Sequence, residues 1–176
     1  MQADDPNGLR KYIRDIPDFP KPGILFRDLT PLLADVAALR RAVQALAAPF
    51  QNHSLDYVVG TEARGFLFGA PVALELGVGF VPVRKPGKLP HETFKASYEL
   101  EYGRDHVHIH KDALHAGSRV LVVDDLIATG GTAVATVDLV RQSNALVVGC
   151  AFVIELGFLK GREALAVEPC HTLVRY

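Results

Sequence analysis

Val120-Leu-Val-Val-Asp-Asp-Leu-Ile-Ala-Thr-Gly-Gly-Thr-Ala-Val-Ala-Thr-Val137 changes character twice along its length. Val120 to Val123 is a short apolar run led by β-branched residues, the pattern of a strand buried on both faces of a parallel sheet. The strand is expected to stop at Asp124 and Asp125. Gly130 and Gly131 then permit backbone geometry that a Cβ hinders, Thr129 and Thr132 bring hydroxyls, and helical spacing resumes from Ala133. A helix start carries unpaired N–H groups and a partial positive charge. Ala128, Thr129, Gly130, Gly131 and Thr132 can therefore surround a phosphate with amides and hydroxyls, and no lysine is needed. Two carboxylates aimed into that cradle would repel the phosphate, whereas beside it they suit sugar hydroxyls or a magnesium ion. The chemistry implied is a phosphorylated sugar.

Two better-known phosphate motifs are excluded. A P-loop needs Gly-x-x-x-x-Gly-Lys followed by Ser or Thr, and no lysine follows Gly130 or Gly131; Gly-x-Gly-x-x-Gly does not occur in the chain. An ordinary strand-loop-helix turn with capping residues would use the same residue types, so the neighbouring segments carry the choice.

Upstream, Asp56 to Val59 reads as a strand, Gly60-Thr61-Glu62-Ala63-Arg64-Gly65 as a tight loop, and the apolar run to about Leu76 as a helix. Arg64 can offer a guanidinium fork to phosphate oxygens. Gly79 to Val83 is a further strand that runs into Arg84-Lys85-Pro86-Gly87-Lys88-Leu89-Pro90-His91-Glu92-Thr93, a basic loop whose prolines and glycine disfavour regular structure. Ala96 to Tyr102 and Val107 to Ile109 are expected to form a hairpin with Gly103-Arg104-Asp105 as its turn. His106, His108 and His110 would share one face there, and without a carboxylate or cysteine to complete a metal set they are expected to face solvent. Nearer the start, residues 7–16 suit a short helix capped by Asn7, and the prolines at 17, 20 and 22 end it. Residues 35–50 suit an alanine-rich helix. Downstream of the central stretch, a helix over 133–143 and a nearly all-apolar strand over 146–154 complete an α/β pattern. In such sheets ligands gather at the carboxyl ends of the strands, where the loops after Val59, Val83 and Val123 would converge.

The chain has 176 residues, enough for one domain with a sizeable core. Its 19 basic and 20 acidic residues nearly cancel, so the totals give no nucleic-acid-binding surface. No apolar stretch has the length of a membrane span, and Met1-Gln-Ala-Asp-Asp-Pro6 lacks the basic and apolar regions of a secretory signal. A cytoplasmic location is expected. Cys150 and Cys170 are too sparse for a disulfide framework or a zinc site and are read as reduced structural thiols.

Taken together, the strand, the Asp-Asp pair, the spacer and Thr129-Gly-Gly-Thr132 resemble the signature of the type I phosphoribosyltransferases. Phe19-Pro-Lys-Pro-Gly-Ile-Leu-Phe-Arg-Asp28, Glu62-Ala-Arg-Gly-Phe66, Arg84-Lys-Pro-Gly-Lys-Leu-Pro90 and Ser97-Tyr-Glu-Leu-Glu-Tyr-Gly103 extend the likeness to the adenine-specific branch of that family. The resemblance implies a single α/β domain over 1–176: a central, mostly parallel sheet flanked by helices, a small N-terminal hood over about 1–34, and a flexible loop. It implies transfer of a phosphoribosyl group from phosphoribosyl pyrophosphate to adenine, giving AMP and pyrophosphate in purine salvage. Magnesium would be held mainly by the diphosphate, without direct side-chain ligation. By the same resemblance, Ala128 to Thr132 hold the ribose phosphate, and Asp124 and Asp125 face the ribose hydroxyls. Glu62, Ala63, Arg64, Gly65, Lys85 and Lys88 meet the pyrophosphate. Adenine lies between Phe26 and Leu126, read by backbone groups of Leu25 and Arg27. Glu101 handles the purine proton; period-2 geometry puts Glu99 on the same face, and only the resemblance separates them. Bacterial members often have arginine where this chain has His91, so no phosphate contact is carried over to that position. A homodimer is the family's usual state. A transferase for another purine, or a non-catalytic nucleotide sensor of the same fold, would share many of these features.

Overall fold

A computed structural model describes residues 5–100 and 103–176, the side chains at 99, 100 and 103 excepted. At the start, the Asp5 carboxylate accepts the backbone N–H groups of Leu9 at 2.8 Å and Arg10 at 3.0 Å. It caps only a 3₁₀ turn, Arg10–Tyr12, in place of the helix expected over 7–16 with Asn7 as its cap. The reason lies in the next residues. Ile13 leaves the turn with extended backbone, and β1 (Arg14–Pro17) pairs antiparallel with β2 (Leu25–Asp28), placing Asp15 opposite Arg27 and Ile16 opposite Phe26. A helix ended by Pro17 would forgo that ladder.

A short helix, α1 (Thr30–Ala34), leads to α2 (Val36–Ala47), where the Asp35 side chain accepts the Ala38 N–H at 2.8 Å. A 3₁₀ turn over Ala48–Phe50 completes the alanine-rich segment. There follow β3 (Tyr57–Thr61), α3 (Arg64–Leu76), β4 (Gly79–Val83), β5 (Thr93–Leu100), β6 (Gly103–His110), β7 (Arg119–Ile127), α4 (Gly131–Gln142), β8 (Leu146–Glu155), α5 (Gly161–Leu165) and β9 (Cys170–Arg175). Five strands form one sheet in the order β4-β3-β7-β8-β9, and every neighbouring pair is parallel. A buried apolar layer covers each face. On one side α2 and α3 pack on Val58, Leu121, Val123, Ala151 and Val153; on the other α4 and the β5–β6 hairpin pack on Val59, Val120, Val122, Cys150 and Phe152. This alternation explains why β7 and β8 read as continuous apolar runs.

Three local expectations need correction. The strand does not stop at the aspartates: β7 continues to Ile127 because β8 runs beside it as far as Glu155, although β3 leaves the ladder after Gly60 opposite Val123. Gly103, Arg104 and Asp105 are not a turn but paired strand residues opposite Leu100, Glu99 and Tyr98. The histidines are half-buried rather than solvent-facing, since His106 bonds Ser97 at 2.8 Å and His108 bonds Thr93 at 3.2 Å across the hairpin. Cys150 and Cys170 are free and buried, and stand opposite each other on β8 and β9. Burial pushes the Cys170 thiol up to about 11 and the Cys150 thiol higher still, so both are protonated at neutral pH.

Candidate active site

The chain order reverses between β3 and β7: β4 lies on one side of β3, while the later strands lie on the other. Such a switch point leaves a crevice at the carboxyl ends of the two strands. The end of β7 from Asp124 to Ile127, paired with β8 but no longer with β3, opens onto it. A cavity of about 260 Å³ occupies the crevice, lined by Glu62 to Arg64 after β3, Lys85 and Tyr98 from the loop and hairpin, and 124–133 from β7 into α4.

The α4 end of the cavity is built for an anion. Gly130 has φ +88°, a left-handed conformation, and a Cβ there would lie 2.6 Å from the Gly161 carbonyl oxygen in α5. Only glycine lets the loop pass so close to α5 and still turn into the helix. α4 then begins at Gly131, two residues before its expected start, with no side-chain cap, so the first N–H groups point outward unclaimed by the chain's own side chains. A buried hydroxyl pair ties this end to β3. Thr61 and Thr136 are 3.0 Å apart, and Thr136 also donates to the Thr132 carbonyl at 2.9 Å.

Opposite the helix terminus stand the two aspartates. Asp125 is 6% exposed, and burial raises its carboxyl above the usual range while the Arg64 charge opposes the shift. Burial raises Asp124 further, with the charge of Asp125 adding to the effect. Arg64 Nε lies 2.8 Å from an Asp125 oxygen, yet out of line for a hydrogen bond, so that buried oxygen retains an unused acceptor site. Gly65 allows this crowding, since a Cβ there would be 2.6 Å from Asp124 Oδ1. A buried Asp125 with spare acceptor capacity, beside a half-buried Asp124, suits hydroxyl donors or a hard cation.

The predicted pyrophosphate residues divide. Ala63, Arg64 and Lys85 line the cavity, and a cis peptide joins Glu62 to Ala63. The Glu62 carboxylate turns to the basic loop, accepting Arg84 Nε at 2.8 Å and the Lys85 N–H at 2.7 Å. Its charge is thereby neutralised beside an anion site. Burial alone would raise this carboxyl, but those two donors outweigh it and hold it below its ordinary value. Lys85 Nζ bonds Tyr98 Oη at 2.6 Å and pairs with Asp105. Lys88 does not reach the cavity; its backbone closes a turn with Lys85 at 3.3 Å.

The predicted base residues do not meet directly. Leu126 lines the first cavity, whereas Phe26 lines a second of about 420 Å³ with Phe19, Asp28 and Leu33. Arg64 lines both, its guanidinium carbon 5.4 Å from the centre of the Phe26 ring. The Leu25 side chain is exposed, and the Arg27 side chain is almost covered. Glu101 lies outside the described residues. Tyr98 and Asp105 were missed as site residues. Alternation along β5 puts Tyr98 on the face of buried Ala96, a signal that could have found it; Asp105 was hidden by its reading as turn.

Comparison with known proteins agrees with this geometry. The phosphoribosyl transferase domain family matches residues 32–168. A curated relative from Methylococcus capsulatus, named adenine phosphoribosyltransferase, is 60% identical over 96% of this chain and 98% of its own. One of the same name from Thermobifida fusca is 57% identical over 94% of each chain. The solved adenine phosphoribosyltransferase of Rhodothermus marinus superposes with a TM-score of 0.91 at 52% identity, covering 96% of both chains. That of Saccharomyces cerevisiae, solved with an imino-altritol bisphosphate and adenine, gives 0.89 at 49% identity over 94% of this chain and 96% of its own.

Proposed function

This chain belongs to the phosphoribosyl transferase domain family, and from that premise we propose that it is adenine-specific, transferring the phosphoribosyl group of phosphoribosyl pyrophosphate to adenine. The observation that carries this reading is the uncapped start of α4 facing the buried Asp125 and the half-buried Asp124 across one cavity at the switch point. That juxtaposition suits a sugar with a phosphate at one end and hydroxyls in the middle.

In this reading Ala128 to Thr132 hold the ribose phosphate, and Asp124 and Asp125 take the ribose hydroxyls. Ala63, Arg64, Gly65 and Lys85, with Lys88 brought in from the loop, meet the diphosphate, while Glu62 keeps the loop's cations in place. Substrate binding substitutes both halves of the Arg64–Asp125 ion pair: hydroxyls replace the guanidinium at Asp125, and diphosphate oxygens replace the carboxylate at Arg64. Movement of Arg64 toward the diphosphate uncovers Phe26, so that adenine can lie between Phe26 and Leu126. The Leu25 carbonyl accepts from the exocyclic amine of adenine. It would meet another acceptor in hypoxanthine or guanine, leaving a buried polar group unpaired. The bond from the anomeric carbon to the diphosphate oxygen breaks, a bond to a ring nitrogen of adenine forms, and the base gives up one proton, which Glu101 steadies or relays.

Magnesium would be held mainly by the diphosphate and by water, without direct side-chain ligation: the spare acceptor of Asp125 is taken by a ribose hydroxyl, and among the described residues no cluster of three or more His, Cys, Asp or Glu could enclose a metal. When bound, the ion offsets the charge of the diphosphate. A cytoplasmic homodimer belongs to the same proposal; among the described residues no helix is long and apolar enough to cross a membrane.

A panel of purine bases incubated with phosphoribosyl pyrophosphate and magnesium tests the reading by pyrophosphate release. Adenine should give AMP and pyrophosphate, and hypoxanthine and guanine little. Preference for another purine would overturn the base assignment, and no release with any base would overturn the enzymatic reading.

A further inference from the structure

Away from the cavity, Tyr176 joins the end of the sheet to two arginines of the N-terminal segment. Its backbone is held on both sides: its N–H donates to the Glu155 carbonyl at 2.9 Å, and its carbonyl accepts the Gly157 N–H at 2.9 Å. Its ring centre lies 3.6 Å from the guanidinium carbon of Arg27 and 4.0 Å from that of Arg10. Arg10 also donates to the Arg175 carbonyl. The Arg27 side chain is 11% exposed, and its buried Nε finds no acceptor among the described residues. Its charge therefore rests on Asp15 across the β1–β2 ladder and on the face of Tyr176. A cation–π contact is strongest in such desolvated surroundings.

We propose that Tyr176 is a positioning residue for base recognition: its ring, fixed to the end of the five-stranded sheet, sets through Arg27 where β2 stands beside the second cavity, which Phe26 lines. This rests on the reading that backbone groups of Leu25 and Arg27 recognise adenine. β1 and β2 have no fully buried residue, and a two-stranded sheet is marginal by itself. Leu9, Ile13 and Leu29 anchor the chain on either side in the core, but the strands need contacts of their own to keep a fixed pose. Hydrogen bonds in which a backbone carbonyl accepts from a flat base and an amide donates to it tolerate only a few tenths of an ångström, so a pose that drifts loses the base first.

The test compares the wild-type chain with Tyr176→Leu, which keeps apolar bulk without a ring face, and Tyr176→Phe, which keeps the face. Tyr176→Leu is expected to raise KM for adenine about three- to thirtyfold and to leave KM for phosphoribosyl pyrophosphate within about twofold, with Tyr176→Phe close to wild type. Amide hydrogen exchange, which does not depend on turnover, should speed up at 25–28 in Tyr176→Leu alone. Unchanged adenine KM, an equal rise for both substrates, or Tyr176→Phe behaving like Tyr176→Leu would each overturn the proposal. If the wild-type chain made no AMP, the adenine reading would fall separately, and the exchange comparison would still decide whether Tyr176 holds β2.

Discussion

At the scale of single residues, Gly130 concentrates the geometric demands of the site. A left-handed φ for an ordinary residue costs about 1–2 kcal/mol, and the Gly161 carbonyl stands where a Cβ would go. Gly130→Ala should therefore lower stability by at least about 1–2 kcal/mol in urea unfolding and weaken phosphoribosyl pyrophosphate binding by calorimetry. Binding at wild-type strength would remove the loop from the phosphate role. A second residue-scale expectation concerns Glu101. If it handles the purine proton, Glu101→Leu lowers kcat by at least about a hundredfold with little change in phosphoribosyl pyrophosphate affinity, and Glu99→Leu does little. Small, equal losses for both would show that neither carboxylate carries the chemistry.

At the scale of elements, the site depends on two loops keeping register at the switch point. The Thr61–Thr136 hydroxyl pair spans β3 and α4, and both residues are at most 2% exposed. Thr136→Val keeps the shape, but it deprives Thr61 of that partner in a buried setting, a loss of about 1–3 kcal/mol. The midpoint in urea should fall with an unchanged m-value; an unshifted midpoint would mean that the pair does not couple the elements. Overlap of elements also explains the departures from the sequence reading. β7 outlasts its aspartates because β8 supplies a ladder to Glu155, and the residues from 14 onward take strand geometry because β2 lies within reach. Both are decided by a partner strand that lies outside the segment itself.

For the whole molecule, the carboxyls shifted from their ordinary values fall into two groups with opposite pH signatures. Burial would raise Glu155, but Arg162, Thr172 and Arg175 outweigh it and hold it below its ordinary value; Lys85 does the same for Asp105. With Glu62, these groups bind more protons unfolded than folded at mildly acid pH. Their stabilisation is present above the ordinary carboxylate range, about pH 4 to 5, and is lost as pH falls through their lowered values. Asp124 and Asp125 act in the other direction, favouring the folded state below that range and costing stability as pH rises through their raised values. Loss of stability below about pH 4 should therefore be shallower in Glu155→Gln, which at neutral pH should be less stable by about 1.5–3 kcal/mol for its charged hydrogen bonds. Parallel stability curves for the two proteins would rule Glu155 out as a source of the acid loss.

The sequence alone determined the alternation of strands and helices, the glycine turn between β7 and α4 and the acidic pair beside it. These rest on local chemistry: β-branched runs, glycines where a Cβ cannot stand, and hydroxyls at a helix start. The resemblance along the chain supplied the family and the base. Tertiary structure decided what each charged group faces. Glu62 meets Arg84, Lys85 meets Asp105, and Arg64 lies between Asp125 and Phe26, because strand order brings together residues up to about sixty positions apart. Tyr176 could not be read as a support for Arg27 from spacing, since nothing local links the two ends of the chain. The link exists because β9 closes the sheet at the side where the β1–β2 ladder rests, and a ring face there meets a guanidinium that is largely covered.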